Sequence, residues 1–165
     1  MKFATFTHLP WPEDNRPEDL YEIHTQQVIL AEELGFHSAW IAEHHFTRYG
    51  LGSAPLVIAA NIMARTSKIR IGTAVLVPPL HHPVRLAEEI SVLDVLSGGR
   101  LRFGIGIGWN AVEYEALGED FHDRGRRSEE QIEVLRALWT QELVTCNGRW
   151  HKITDAGLNP RPVQQ

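Results

Sequence analysis

The residues best suited to chemistry are an acid followed by two adjacent histidines, Glu43-His44-His45. An imidazole titrates near neutral pH, so this triplet could accept and donate a proton. Adjacent side chains of an extended segment point in opposite directions, and therefore at most one imidazole can face a bound ligand directly. A metal site that adds His81 and His82 is a second interpretation, although the spacing matches no zinc signature. A purely structural role for the doublet stays open.

A glycine-rich stretch, residues 101–110, is the second candidate for chemistry. If it is a strand, Gly104, Gly106 and Gly108 share one face, and a bare face of this kind indicates close approach of a ligand or of another backbone. With Ala111, the stretch also fits the G-x-G-x-x-A pattern of a dinucleotide-binding Rossmann domain. That pattern requires a second strand ending in an acid about 20 residues later, where this sequence has a helix. A glycine strand that simply packs against a helix is the third interpretation.

Four strand-helix units position these residues. The predicted strands are residues 2–7, 38–42, 69–77 and 101–110. The predicted helices are residues 17–34, which end at Gly35, residues 55–65, residues 83–96, and a helix that carries Ile132, Leu135, Leu138 and Trp139. A short helical turn is expected at residues 112–117, and residues 148–153 form a small strand pair or a loop. Apolar strands that alternate with helices predict an α/β fold with a parallel sheet, whose chemistry lies at the carboxyl ends of the strands.

The composition limits the possible partners and the compartment. A chain of 165 residues with 43% hydrophobic residues can bury a core as one domain over residues 1–165. The net charge of −5, with acids and bases interspersed, favours no nucleic-acid surface. No apolar run approaches the length of a membrane span, and the single cysteine, Cys146, fits a reducing compartment. We therefore expect a cytoplasmic protein that binds neither nucleic acid nor membrane.

Five motifs occur along the chain in a consistent order and spacing. They are Ala42-Glu43-His44-His45-Phe46-Thr47, Gly72-Thr73-Ala74, His82-Pro83-Val84-Arg85-Leu86-Ala87-Glu88, Leu93-Asp94 with Ser97-Gly98-Gly99-Arg100, and Phe103-Gly104-Ile105-Gly106. Together they resemble the bacterial luciferase-like flavin monooxygenases. Gly108-Trp109-Asn110 with Glu113-Tyr114 is similar to family members that use FMN or a deazaflavin coenzyme.

The resemblance implies a (β/α)₈ barrel of the TIM type with the flavin ring across its C-terminal mouth, of which this chain would be the N-terminal half. His44 would assist proton transfer, with His45 and Glu43 in support, and no metal would be involved. The bond Ala74-Val75 would be a non-prolyl cis peptide. The implied cofactor contacts are Thr73, Ala74, Val75, Gly106, Gly108, Trp109 and Asn110.

In the barrel, the resemblance implies that Gly104 and Gly106 keep the interior clear beneath the flavin ring, while Phe103, Ile105 and Ile107 pack outward. Bacterial luciferase itself has a reactive cysteine at the position of Gly106 and an arginine at that of Ile107, so light emission is not expected here.

The predicted function is therefore a flavin-dependent oxidoreductase. It would oxidise a small organic substrate with reduced FMN and O₂, or transfer hydride with a deazaflavin. A non-catalytic flavin-binding or assembly subunit is the alternative, and an NAD(P)-binding Rossmann domain is a third hypothesis. Family members are about twice as long, and the segments that grip the flavin phosphate are expected beyond this stretch. Because four strands alone would leave an apolar face uncovered, we expect a longer chain, a homo-oligomer or a complementing half-barrel chain.

Overall fold

The computed structural model describes residues 1–164, which form two compact units. The first unit comprises Met1–Leu76 and Arg100–Ile105, and the second comprises Val77–Gly99 and the residues from Gly106 onward. The single domain over residues 1–165 stays a prediction, and its last residue, Gln165, lies outside the described residues.

The first unit contains a four-stranded sheet with two helices. Its elements are β1 (Ala4–Thr7), α1 (Pro17–Glu33), β2 (Ser38–Ile41), α2 (Pro55–Ala64), β3 (Arg70–Thr73) and β4 (Leu101–Arg102). All neighbouring strands pair in parallel, in the order β1-β2-β3-β4. The α/β class and the parallel sheet are therefore confirmed. The Rossmann alternative is wrong, because its classic order places the first strand inside the sheet, between the second and the fourth, whereas β1 lies at the end of the order here.

One face of the sheet forms the core of the first unit. Ala39, Ile71 and Leu101 lie side by side in the strand register and are at most 3% exposed. Helix α2 packs on β3, and α1 packs beside α2. The buried side chains of the two helices recur at helical spacing, which explains why these segments fold as helices against a sheet. They are His24, Thr25, Val28 and Ala31 in α1, and Pro55, Ala59, Ile62 and Met63 in α2.

The opposite face carries the row Phe6, Trp40, Gly72 and Arg102. The indole of Trp40 lies over Gly72, where an added Cβ would collide with the ring, and donates from Nε1 to the Ser38 hydroxyl at 3.0 Å. Glycine at position 72 of β3 thus accommodates the tryptophan of the neighbouring strand. The space beside Gly72 is filled by the Trp40 side chain of the protein itself.

The fourth strand is shorter than predicted. The prediction of one continuous strand over residues 101–110 is wrong, because β4 ends at Arg102 and only the isolated bridge between Leu76 and Ile105 follows. The Thr73 hydroxyl donates to the Gly104 carbonyl at 2.7 Å and accepts from the Gly104 amide at 3.1 Å. The Gly104 carbonyl also accepts from the Leu76 amide at 2.9 Å, so a side chain and a main-chain amide together hold Gly104 where the regular ladder ends. An added Cβ at Gly104 would collide with the Thr73 carbonyl oxygen, so glycine here permits close approach of two backbones.

Two charged side chains fix the turn that precedes β3. The Glu32 carboxylate of α1 accepts from the amides of residues 67, 68 and 69 at 2.6–3.1 Å. The Arg100 guanidinium donates to carbonyl oxygens of Met63, Thr66 and Ile69. Charged groups thus satisfy the main-chain groups that the end of α2 and the turn leave without ladder partners.

The second unit is mainly helical. It contains a 3₁₀ turn at Pro78–Leu80, α3 (Pro83–Ser97), α4 (Ala111–Ala116), α5 (Arg124–Thr140) and an antiparallel hairpin of β5 (Val144–Asn147) and β6 (Lys152–Ala156). Helices α3 and α5 pack together, and α5 also contacts the 3₁₀ turn. In α5, Glu130 accepts from the amides of residues 149–151 and from His151 Nδ1, so this carboxylate holds the hairpin turn on the helix.

Proline and glycine mark the helix ends as the sequence predicts. Proline occupies the first turn of α1, α2 and α3. Gly35, after α1, and Gly98, after α3, have φ values of +79° and +65°, which L side chains adopt with difficulty. These boundaries were predictable because each depends on a few neighbouring residues.

We predict that His24 makes the stability of the protein depend on pH. Burial lowers the pKa of His24 from 6.5 to about 4. In the unfolded chain the imidazole binds a proton below its ordinary pKa, whereas the folded protein keeps it neutral. The contribution of the neutral His24 to the stability is thus fully present above about pH 6.5 and is lost as the pH falls toward 4. Urea unfolding should show a loss of roughly 2 kcal/mol from this group between about pH 7 and about pH 5.

The substitution His24→Gln should remove this part of the pH dependence. The matched control is His122→Gln, because His122 lies exposed on the surface and the same change there should leave the slope intact. An equal slope in His24→Gln and the unmodified protein would contradict the prediction.

We predict that Gly104→Ala destabilises the protein by about 1–3 kcal/mol, because its Cβ would force the backbones at Gly104 and Thr73 apart. Gly125→Ala is the control, since an added Cβ meets nothing within 4 Å and Gly125 lies within α5. Alanine should be neutral or slightly stabilising there. Urea unfolding curves measure both effects, and equal stabilities of the two variants would count against a packing role for Gly104.

Candidate functional site

Main-chain hydrogen bonds join the carboxyl ends of β2 and β3 in the first unit. The Ala74 amide donates to the Ile41 carbonyl at 2.8 Å, and the Glu43 amide donates to the Val75 carbonyl at 3.1 Å. The segment that carries the acid and the two histidines therefore lies directly beside residues 73–75. Two groups of predicted site residues, far apart in sequence, are brought together at this edge of the sheet.

Glu43 and His45 form a buried pair. The Glu43 carboxylate lies 2.9 Å from His45 Nε2, and the two side chains are 0% and 11% exposed. An ionised carboxylate can only accept, so when Glu43 is ionised it places the proton of a neutral His45 imidazole on Nε2. The pair can fix the tautomer and the orientation of the ring, and it can stabilise the ring when it is protonated.

His44 has a different environment from His45. It is half-buried, and its ring lies 4.7 Å from the Tyr49 ring at an interplanar angle of 80°. Tyr49 in turn stacks on His8 at 4.7 Å and 22°. Neither Tyr49 nor His8 was among the site residues predicted from the sequence. The position of His8 directly after β1 was a usable signal, because side chains at strand ends meet at one edge of a parallel sheet.

The segment 73–75 offers main chain and small side chains. Thr73 is fully buried, and its hydroxyl is engaged with Gly104. Ala74 is half-buried, and Val75 is 37% exposed. The bond between Ala74 and Val75 is a non-prolyl cis peptide, as the sequence resemblance implied. Of these three residues, Ala74 and Val75 have side-chain surface that a ligand could contact.

The remaining predicted cofactor contacts, Gly106, Gly108, Trp109 and Asn110, belong to the second unit. Trp109 is 70% exposed. Asn110 caps α4, because its side-chain oxygen accepts from the Val112 amide at 3.2 Å. Gly108 has a φ of +66°, and an added Cβ would lie 3.1 Å from Val77, so glycine is required there by conformation. Only Trp109 in this group presents a large side-chain surface.

The buried Tyr114 fixes the stretch before α4. Its hydroxyl donates to the Ile107 carbonyl at 2.6 Å, and its ring meets the Phe121 ring edge to face at 5.5 Å. The backbone that carries Gly108 and Trp109 is thereby anchored within its own unit.

Residues 1–164 contain no group of three or more His, Cys, Asp or Glu side chains placed to hold a metal ion. Over the same residues, no helix has the length and apolar character needed to cross a membrane.

The chain is similar in sequence to enzymes that use flavins. An alkanal monooxygenase alpha chain from the Kryptophanaron alfredi symbiont is 39% identical over 165 residues. The oxygenase component of a flavin-dependent trigonelline monooxygenase from Acinetobacter baylyi is 31% identical over 168 residues. Each match covers 100% of this chain and 46% of the relative. The chain thus spans less than half the length of these relatives.

Solved structures agree with this similarity. The monooxygenase RslO1 from Streptomyces bottropensis superposes with a TM-score of 0.95 at 32% identity, covering 100% of this chain and 51% of that one. An F420-dependent secondary alcohol dehydrogenase, in complex with an F420-acetone adduct, superposes with a TM-score of 0.81 at 25% identity, covering 99% of this chain and 50% of that one. The fold is therefore that of the luciferase-like (β/α) barrels, over about half of their length.

The family model of the luciferase-like monooxygenases matches residues 1–165. Together with the identities above, this match covers the segments that carry the buried acid, the two histidines and the cis peptide. The chain therefore belongs to the luciferase-like monooxygenase family.

Proposed function

We propose that the protein is a flavin-dependent oxidoreductase that oxidises a small organic substrate with reduced FMN and O₂. The observation that carries this proposal is the edge at β2 and β3, where the segment with a half-buried imidazole and a buried acid–imidazole pair is hydrogen-bonded to the partly exposed residues 74–75. Such an edge combines a proton-transfer group with a small apolar surface for a flat ring.

The residues present fit the ring of a flavin. Ala74 and Val75 are small and accessible, and the half-buried His44 belongs to the segment hydrogen-bonded to theirs. A bound reduced FMN would supply the reducing equivalents for oxygen chemistry, and a deazaflavin would supply hydride. Trp109, Asn110, Gly106 and Gly108 stay predicted cofactor contacts, and so does Thr73 through its main chain.

In this proposal the chain's own residues handle protons. His44 is accessible, so it exchanges a proton with the substrate or the cofactor. The buried pair of Glu43 and His45 acts in support, because an imidazole with a fixed carboxylate partner keeps its orientation and can hold a positive charge.

A deazaflavin-dependent hydride transfer is the second candidate function. It is supported by the similarity to the F420-dependent alcohol dehydrogenase, whose structure contains an F420-acetone adduct. A non-catalytic flavin-binding subunit stays an alternative, and it differs from both enzymes in predicting cofactor binding without turnover. A cytoplasmic location, a homo-oligomer and a complementing half-barrel chain stay predictions.

The test is to titrate the purified protein separately with FMN and with F420 while following the fluorescence of the cofactor. Oxygen consumption is then measured with reduced FMN, and reduction of F420 with small alcohols. The alkanals and trigonelline that name two relatives are the first substrates to test for oxygenation. We expect binding of one cofactor and substrate-dependent turnover with it. Binding without turnover on any of these substrates would favour the non-catalytic alternative, and failure of both cofactors to bind would contradict the proposal.

We predict that His44→Ala lowers turnover by roughly 10²–10⁴-fold, the usual contribution of a general acid or base, while cofactor affinity changes little. The control is His122→Ala, which removes an exposed histidine of the second unit. Unchanged turnover in His44→Ala would remove the catalytic role of His44.

We predict that Glu43→Gln lowers turnover by about tenfold, or ~1.4 kcal/mol of barrier. Glutamine keeps the shape and one acceptor for His45 Nε2 but removes the negative charge beside the buried ring. Glu33→Gln removes the same charge at an exposed position of α1 and should leave turnover unchanged. Equal turnover in Glu43→Gln and the unmodified protein would exclude an electrostatic role for Glu43.

A further inference from the structure

We propose that Tyr49, backed by His8, is a positioning residue that holds the imidazole of His44 in its working orientation. This inference rests on the proposed function, because it assigns Tyr49 and His8 to the same site. Neither residue belongs to the acid–histidine triplet, and each lies in a different loop of the first unit.

The three rings form a continuous row. Tyr49 stacks nearly parallel on His8, with ring centroids 4.7 Å apart and planes at 22°. On its other side Tyr49 meets His44 at the same centroid distance, with planes at 80°. Both arrangements are among those that aromatic pairs prefer. Rotation of the His44 ring about its side-chain bonds would break the perpendicular contact.

The two loops that carry this row are joined by main-chain hydrogen bonds. The Leu51 amide donates to the Leu9 carbonyl at 2.8 Å, and the Trp11 amide donates to the Arg48 carbonyl at 3.0 Å. These bonds flank Tyr49 in sequence on both sides. They fix the backbone of Tyr49 relative to that of His8. The tyrosine ring therefore extends from a held backbone, although the residue is 54% exposed.

At Gly50 the same loop comes close to His44 and to His8. Its backbone is so close that an added Cβ would lie 3.3 Å from Cβ and Cδ2 of His44 and would collide with the His8 carbonyl oxygen. The side chain of residue 49 thus contacts His44, and the backbone of residue 50 leaves no room for a side chain beside it. A loop that only covered the surface would not need both contacts.

Orientation matters because proton transfer requires a short, aligned path, and a displacement of about 1 Å can reduce a rate by about 100-fold. The Glu43 carboxylate orients His45, whose Nε2 it contacts. In our proposal the ring of Tyr49 orients His44 in the same way. The ring limits the rotation of the imidazole and leaves part of it accessible.

The experiment compares Tyr49→Ala with Tyr49→Phe in the full chain, in the wild-type and the His44→Ala backgrounds. Turnover is measured with reduced FMN or F420, whichever the protein binds. If Tyr49 acts through His44, Tyr49→Ala should lower kcat by about 10- to 100-fold and change KM by less than about twofold. Tyr49→Phe keeps the ring and should retain kcat within about twofold. In the His44→Ala background, Tyr49→Ala should have almost no further effect, because the two residues act as one unit.

A second measurement does not depend on activity. The NMR signals of the carbon-bound imidazole protons of His44 report the ring current of Tyr49. They should shift in Tyr49→Ala and stay in place in Tyr49→Phe, and His8→Ala should broaden or move them by removing the ring behind Tyr49. Thermal unfolding of each variant identifies any general loss of the fold.

The outcomes separate this inference from the proposed function. Unchanged turnover in His44→Ala would overturn the catalytic role of His44, whereas the NMR shifts would still test whether Tyr49 holds the ring. A large loss of turnover in His44→Ala, together with an unchanged kcat in Tyr49→Ala, would overturn only the positioning role of Tyr49. Equal losses in Tyr49→Phe and Tyr49→Ala would assign the effect to the hydroxyl and would also overturn it. A rise in KM with unchanged kcat would make Tyr49 a substrate contact, contrary to the proposal.

Discussion

The close contact of main chain with main chain at the carboxyl ends of the strands is the constraint on which the first unit depends. The Thr73 hydroxyl bridges both main-chain groups of Gly104, and a side chain at Gly104 would require the two backbones to move apart. The amides of Ala74 and Glu43 extend the contact to β2. These main-chain groups thus have partners where the regular ladder stops, and their bonds fix the path of the chain around the candidate site.

The positions of the functional groups follow from this path. Glu43 is buried because its amide is bonded to the end of β3, and a buried carboxylate requires a partner, which His45 provides at 2.9 Å. The neighbouring side chain in the extended segment faces away from that pair, and His44 is indeed the more accessible of the two histidines. The different environments of the two imidazoles are therefore consistent with the alternating directions of side chains along the backbone.

Features that depend on neighbouring residues were predictable from the sequence. Apolar strand segments that alternate with helices indicated a parallel sheet, and the prolines and glycines at the helix ends indicated the helix boundaries. The order and spacing of the motifs gave the family and the cis peptide. Contacts between distant residues were not predictable in this way. Glu32 bonds to amides about 35 residues later, and Tyr49 reaches His8 across 41 positions, with no periodic pattern to signal either contact.

The glycines show why the same pattern can mean two things. A bare strand face indicates that something must come close, but composition does not say whether it is a ligand or the protein itself. At Gly72 the neighbour is the Trp40 ring, and at Gly104 it is the backbone of β3. Neither position leaves open space for a ring. Among the predicted site residues of the first unit, accessible side-chain surface is found instead at Ala74, Val75 and the half-buried His44.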